Sequence, residues 1–184
     1  MAEHRYVALL RGINVGGSNL VKMVDLKAAF EALGFESVRT YIQSGNVVFA
    51  TKTKQATKTL VAHIETALSK RFGYAARMVV VSTEELRRVI EEAPKGFGKQ
   101  PTKYRYDVLF LRPPLKPKAA LAQMPTNPAI DRVSAGPRAV YFERLIAKAT
   151  QSRMSRIVAL PIYKEMTIRN WNTTTKLLAL ATSE

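Results

Sequence analysis

The sequence predicts an α+β fold of two tandem βαββαβ units, ferredoxin-like in topology, each an antiparallel sheet with helices on one face. Three observations predict it. Short apolar runs of strand length alternate with segments whose apolar residues recur at helical spacing. The order strand, helix, two strands, helix, strand occurs twice along the chain. Between the two occurrences lies Lys95 to Lys103, whose Gly96, Gly98 and Pro101 give it the composition of a linker. The expected division is residues 1–81 for the first unit, 82–103 for a helix and linker, and 104–184 for the second unit with an appended helix.

Tyr6 to Leu10 is apolar, ends near Gly12 and is too short for a stable helix, so it reads as a buried strand. Met23, Leu26, Phe30 and Leu33 then share a helical face. Gly34 offers a left-handed cap, and Phe35 the apolar residue that folds back on the last turn. Val38 to Ile42 and Asn46 to Ala50 are β-rich runs joined through Ser44-Gly45, read as a two-residue hairpin connection. Leu60, Ile64, Leu68 and Phe72 mark a helix closed by Gly73, and Arg77 to Val81 a fourth strand. Ser82-Thr83-Glu84-Glu85 is a capping box opening a helix that Pro94 stops.

Beyond the linker, Tyr104 to Leu111 reads as a strand, Pro117 to Met124 as a short helix and Ile130 to Val133 as a strand. Gly136-Pro137 turns the chain into a strand from Arg138 to Phe142. A helix around Ser152 to Leu160, a strand at Met166 to Ile168 and a closing helix from Trp171 to Ala181 complete the pattern. No residue-level repeat links the two halves, so the duplication is one of element order.

The chain has 29 Lys and Arg against 14 Asp and Glu, a formal charge of +15, which favours anionic partners. The alternative is a set of solvated lysines that serve solubility alone. Cysteine is absent, which excludes disulfides, thiolate metal sites and cysteine nucleophiles. The start, Met1 to Arg5, leads directly into a strand without the features of a signal peptide, and no apolar run approaches the roughly 18 residues of a membrane span. A soluble, cytoplasmic protein without a membrane partner is expected.

Three polar stretches carry the functional signal. The first is Arg11-Gly12-Ile13-Asn14-Val15-Gly16-Gly17-Ser18-Asn19. Its Gly12-to-Gly17 spacing matches a phosphate-binding loop, but Ser18-Asn19 replaces the obligatory Lys-Ser/Thr, so glycines that allow a sharp turn are the better account. The second is Tyr41 to Asn46, between the second and third strands. In a βαββαβ sheet the first two strands run the same way with the third antiparallel between them, so this turn and the first loop emerge at one sheet end. Arg11, Asn14, Gln43, Ser44 and Asn46 can then converge as one cation with several amides and a hydroxyl, suited to an anion or a polar ring. Alternatively, Asn14 and Asn46 bond the backbone of their own turns. The third stretch is Thr167 to Thr173, which surrounds the only tryptophan. Arg169, Asn170, Trp171 and Asn172 at a strand-to-helix junction put backbone N–H groups and a guanidinium within reach of an anion. They equally suit a helix cap with Trp171 packed between the halves.

Taken together, Leu10-Arg11-Gly12-Ile13-Asn14-Val15-Gly16-Gly17, Thr40 to Phe49 and Thr167 to Thr173 make the chain resemble a bacterial domain-of-unknown-function family, number sixteen-ninety-seven. The resemblance spans nearly the whole chain and implies an α+β fold of about this length, with no established activity, cofactor or partner. Residues from about Lys95 to Pro137 carry no motif of that family.

The two histidines, His4 and His63, lie apart and outside the motifs, so a histidine zinc site or a Ser-His-Asp relay lacks its parts. The carboxylates Asp25, Glu31, Asp107 and Glu143 are scattered, which disfavours paired-carboxylate catalysis and a magnesium cage. No cofactor is implied. Three functions remain. The leading one is a binding module for an anion, either a nucleic-acid backbone or a phosphorylated small molecule, although the first and third strands lack the aromatic signature of RNA-recognition motifs. The second is an enzyme on a small polar metabolite, with Arg11 and Asn46 orienting it and Tyr41 or Ser44 relaying a proton. The third is a structural protein whose motifs lock the two units together while it works through a partner.

Overall fold

The computed structural model describes residues 3–17 and 19–183. Met1 and Ala2 of the chain start, and Ser18 of the first polar loop, lie outside the described residues. Two compact units are present, Met1–Leu86 with Lys176–Glu184, and Arg87–Thr175.

The first unit contains β1 (His4–Arg11), α1 (Met23–Ala32), β2 (Glu36–Tyr41), β3 (Asn46–Thr51), α2 (Thr57–Phe72) and β4 (Arg77–Ser82). Its sheet has the order β2-β3-β1-β4 with every pair antiparallel, which is the βαββαβ arrangement. Tyr6, Ala8 and Leu10 alternate onto one face of β1, beside Val47 and Phe49 of β3 and Met78 and Val80 of β4. Leu26 and Phe30 from α1, and Leu60, Ile64 and Leu68 from α2, close this face into a core. Each large apolar side chain buried there is worth about 1.5–3 kcal/mol. The end of α1 is a Schellman motif: Gly34 (φ 80°) donates to the Glu31 carbonyl and Phe35 to that of Phe30. Phe35 then packs against Phe49 at 4.6 Å between ring centroids, the rings tilted by 46°, so the cap also delivers an aromatic to the core. The carboxylate of Glu65 on α2 accepts from the Met78 N–H and from Arg77, tying the helix to β4.

The helix α3 (Thr83–Glu91) opens with the expected box. The Ser82 N–H donates to the Glu85 carboxylate at 2.8 Å, and the Glu85 N–H donates to the Ser82 hydroxyl at 3.1 Å.

The second unit contains β5 (Tyr104–Leu111), α4 (Pro117–Leu121), β6 (Asp131–Ala135), β7 (Ala139–Leu145) and β8 (Met166–Asn170), in the order β6-β7-β5-β8 and again antiparallel throughout. The strand order repeats that of the first unit, but the connection between β7 and β8 departs from expectation. Three 3-10 turns, Ile146–Gln151, Met154–Ala159 and Pro161–Glu165, replace the helix expected around Ser152 to Leu160. The buried carboxylate of Asp131 takes the Arg153 N–H at 3.0 Å, diverting it from any helical ladder, and Pro161 prevents continuation beyond Leu160. Met154 and Ile157, three residues apart, still face the core, as three residues per turn require.

Two boundaries also differ. Lys95 to Lys103 is a chain of turns rather than a free linker, because Phe97 is buried edge-on against Tyr106, Tyr141 and Trp171 at 4.9, 5.4 and 5.1 Å. The last helix, α5 (Trp171–Thr182), begins in the second unit, but from Lys176 onward it belongs to the first. Arg5 donates to the Ala181 carbonyl and Arg39 to the Ser183 hydroxyl, both near the end of the helix, where carbonyls lack helical partners.

Candidate functional site

In the first unit the two polar turns meet at one rim of the sheet. The Leu10 N–H donates to the Gly45 carbonyl at 2.8 Å, and the Asn14 side chain joins the turns. Its amide donates to the carbonyls of Val21 and Gln43, each at 2.9 Å, and its oxygen accepts the Val21 N–H at 2.8 Å. Asn14 holds φ 54°, a conformation that asparagine tolerates better than most residues. Asn46 is fully buried and donates to the Tyr41 carbonyl and the Ser44 hydroxyl, each at 3.0 Å. Both amides therefore shape their own loops. The hairpin connection has four residues, 42–45, rather than two, because Tyr41 pairs with Asn46. Gly45 (φ 73°) cannot be replaced there: a Cβ would lie 2.6 Å from Ile13 Cδ1 and 2.8 Å from Leu10 Cβ. Gly16 and Gly17 are exposed in left-handed conformations, and Gln43 is exposed as well. Arg11 is half-buried at the end of β1, opposite Arg77.

In the second unit Arg169 is buried on β8 and donates to the Thr167 hydroxyl and the Ile168 carbonyl, each at 2.8 Å. Burial lowers its pKa to about 10, which still leaves it cationic at neutral pH. The stretch has two readings, reach toward an anion or a cap on the last helix, and the buried side chain of Arg169 engages its own strand. Asn170 caps α5 by accepting the Thr173 N–H at 2.7 Å. Trp171 meets Phe97 edge-to-face at 5.1 Å and 89°. Gly98 (φ 80°) presses on the same indole so closely that a Cβ there would sit 2.2 Å from Nε1. Asn172 is exposed.

The register of β5 explains what lies beside these residues. β8 pairs only with Asp107 to Leu111, so Tyr104, Arg105 and Tyr106 are paired with β7 alone. Where α5 turns away, an open cleft of about 350 Å³ is walled by Tyr104, Arg105, Tyr106, Arg144, Trp171 and Asn172. Arg105 and Arg144 are directly opposite each other across β5 and β7, a like-charge pair that needs compensation. Asp107, two residues along on the same face, lies 4.0 Å from Arg105 and 3.8 Å from Arg144, beyond hydrogen-bonding reach. Burial raises the carboxyl pKa of Asp107 in spite of the two guanidiniums. The buried Nε of Arg144 has no hydrogen-bond partner among the described residues. Sequence reading counted Arg105 only within a run of positive charge and passed over Arg144. The available signal was the Arg105-Asp107 alternation, which puts opposite charges on one strand face. Among the described residues no three His, Cys, Asp or Glu side chains cluster to hold a metal ion, and no helix is long and apolar enough to cross a membrane.

This is an α+β chain of two ferredoxin-like units. Its residues 4–141 match the family described as "Protein of unknown function (DUF1697)", and the chain belongs to that family. Among solved structures it is similar to the conserved bacterial protein SP0830 from Streptococcus pneumoniae, with 26% identity and a TM-score of 0.84 over 98% of this chain and 100% of that one. The search of curated proteins gives no match.

Proposed function

We propose that this chain is a binding module for an anionic ligand and that the cleft of the second unit is its seat. The observation that carries this reading is the facing pair Arg105 and Arg144, whose donors are too far from Asp107 to be satisfied by it. Guanidiniums in that condition favour a phosphate or carboxylate that can accept from both. The charge of +15 draws such ligands toward the protein. For the two turns of the first unit a structural reading is the better one, since the amides of Asn14 and Asn46 are engaged by the backbone around them.

The test is calorimetric titration at low salt with pyrophosphate and with a mixed oligonucleotide, on the unmodified chain and on Arg105→Ala combined with Arg144→Ala. Binding of at least one anion, weakened about tenfold or more in the double variant, is expected. Binding of neither anion, or equal binding by the double variant, ends the proposal.

A further inference from the structure

Resting on that anion-binding reading, we infer that the ligand is a single-stranded nucleic acid, one nucleotide of which enters the cleft with its phosphodiester at Arg105 and Arg144 and its base against Trp171. Three observations lead to this ligand.

The first is local charge. Asp131, Arg144 and Arg105 form one row across β6, β7 and β5, and Asp107 lies two residues farther along β5 on the same face. Two arginines therefore stand with two buried carboxylates, one of which, Asp131, also accepts the N–H groups of Asn127 and Arg153. Such a balanced floor gives little advantage to a compact, multiply charged anion. A phosphodiester, with one charge per unit, uses the guanidinium donors without needing a strong local field. The second is the charge of the whole chain. A net +15 is engaged by a polyanion through many contacts and the release of its counterions, which one small anion in one cleft does not achieve.

The third is the aromatic wall. Phe97 and Gly98 hold the Trp171 indole, which lines the cleft together with Tyr104 and Tyr106. Tyr104 and Tyr106 alternate to the face of β5 opposite Arg105, so the indole and the arginines line the cleft from either side of this strand; a base stacks on the one while its phosphate reaches the other, and stacking requires an unpaired strand. At about 350 Å³ the cleft is at the small end of ligand pockets, with room for a base and its phosphate and none for a duplex.

Trp171 is the only tryptophan, so its emission reports on the cleft itself. The experiment titrates the full chain with oligothymidylate of about 15 nucleotides, the matching duplex, and inorganic triphosphate, following tryptophan fluorescence and the anisotropy of a labelled oligomer. The expected result is quenching by the single strand, affinity that falls steeply with salt, weaker binding of the duplex, and loss of about tenfold or more in Arg105→Ala combined with Arg144→Ala. Trp171→Phe, which keeps a ring on Phe97, should retain most of the affinity, whereas Trp171→Leu should lose about tenfold while remaining folded by circular dichroism. Triphosphate that binds and quenches as well as the oligomer at equal phosphate concentration would overturn the polymer assignment and leave the anion site standing. Oligomer binding that leaves Trp171 emission and both arginine substitutions without effect would overturn the inference and the cleft with it.

Discussion

The side-chain amide of Asn14 donates to the backbone carbonyl of Gln43 at 2.9 Å, joining two turns that are 29 residues apart in sequence. The same side chain also closes its own loop on Val21 in both directions. Asn14→Ala removes all three bonds and places alanine in a left-handed conformation, for an expected loss of about 3 kcal/mol. Asn14→Asp keeps the acceptor for the Val21 N–H and tolerates the same backbone, so its loss should be smaller. Urea unfolding of the three proteins checks the order, and an unchanged midpoint in Asn14→Ala would contradict it.

At the start of α3, Ser82 and Glu85 satisfy each other's backbone N–H groups. Ser82→Ala removes one acceptor and should cost about 1 kcal/mol. Because the two bonds form one motif, a double-mutant cycle with Glu85→Ala should show coupling of roughly 0.5 kcal/mol or more, and strict additivity would show that the bonds act independently.

Tyr141 is buried, donates its hydroxyl proton to the Val89 carbonyl at 2.5 Å, and has its pKa pushed up to about 12, mainly by burial and secondarily by Glu92. The unfolded chain loses the same proton near pH 10. Between those values the unfolded state binds fewer protons than the native one, so stability is fully present below pH 10 and falls as pH rises toward 12. The loss attributable to this residue is ~3 kcal/mol. Tyr74, also raised to about 12 by burial, should titrate late as well. Burial raises Tyr106 too, so absorbance titration of the folded protein should show at least three delayed tyrosines, and ionisation of all seven near pH 10 without unfolding would refute the assignment.

Gly98 and Trp171 are in such close contact that even a methyl group has no room. Gly98→Ala must displace the indole and also places alanine at positive φ, with an expected cost of about 3 kcal/mol and a red-shifted tryptophan emission. Gly96→Ala shares the backbone strain, but its Cβ meets nothing, so it should destabilise by about 1 kcal/mol and leave the emission in place. Identical spectra for the two variants would show that the contact does not hold the ring.

Features written in local patterns were readable in the sequence. The apolar spacing of Leu60, Ile64, Leu68 and Phe72 before Gly73 marked α2, the Ser82-Glu85 spacing marked the start of α3, and the run Tyr104 to Leu111 is β5. Chain topology alone also brought the turns bearing Asn14 and Gln43 to one rim. Features that depend on register or distant capture were not legible. Arg105 and Arg144 become neighbours only through the pairing of β5 with β7, and Asp131 withdraws the Arg153 N–H from 22 residues away. The inward turn of Arg169 is likewise a tertiary outcome, since arginine at a strand-to-helix junction is ordinarily solvated.

The three short 3-10 segments between β7 and β8 give the second unit a covering layer with seams where the first unit has the continuous helix α2. Short segments without a shared ladder open one at a time, so their amide hydrogens should exchange with solvent well before those of α2. That side of the molecule is accordingly where residues can be inserted or removed with least disturbance to the strands beneath.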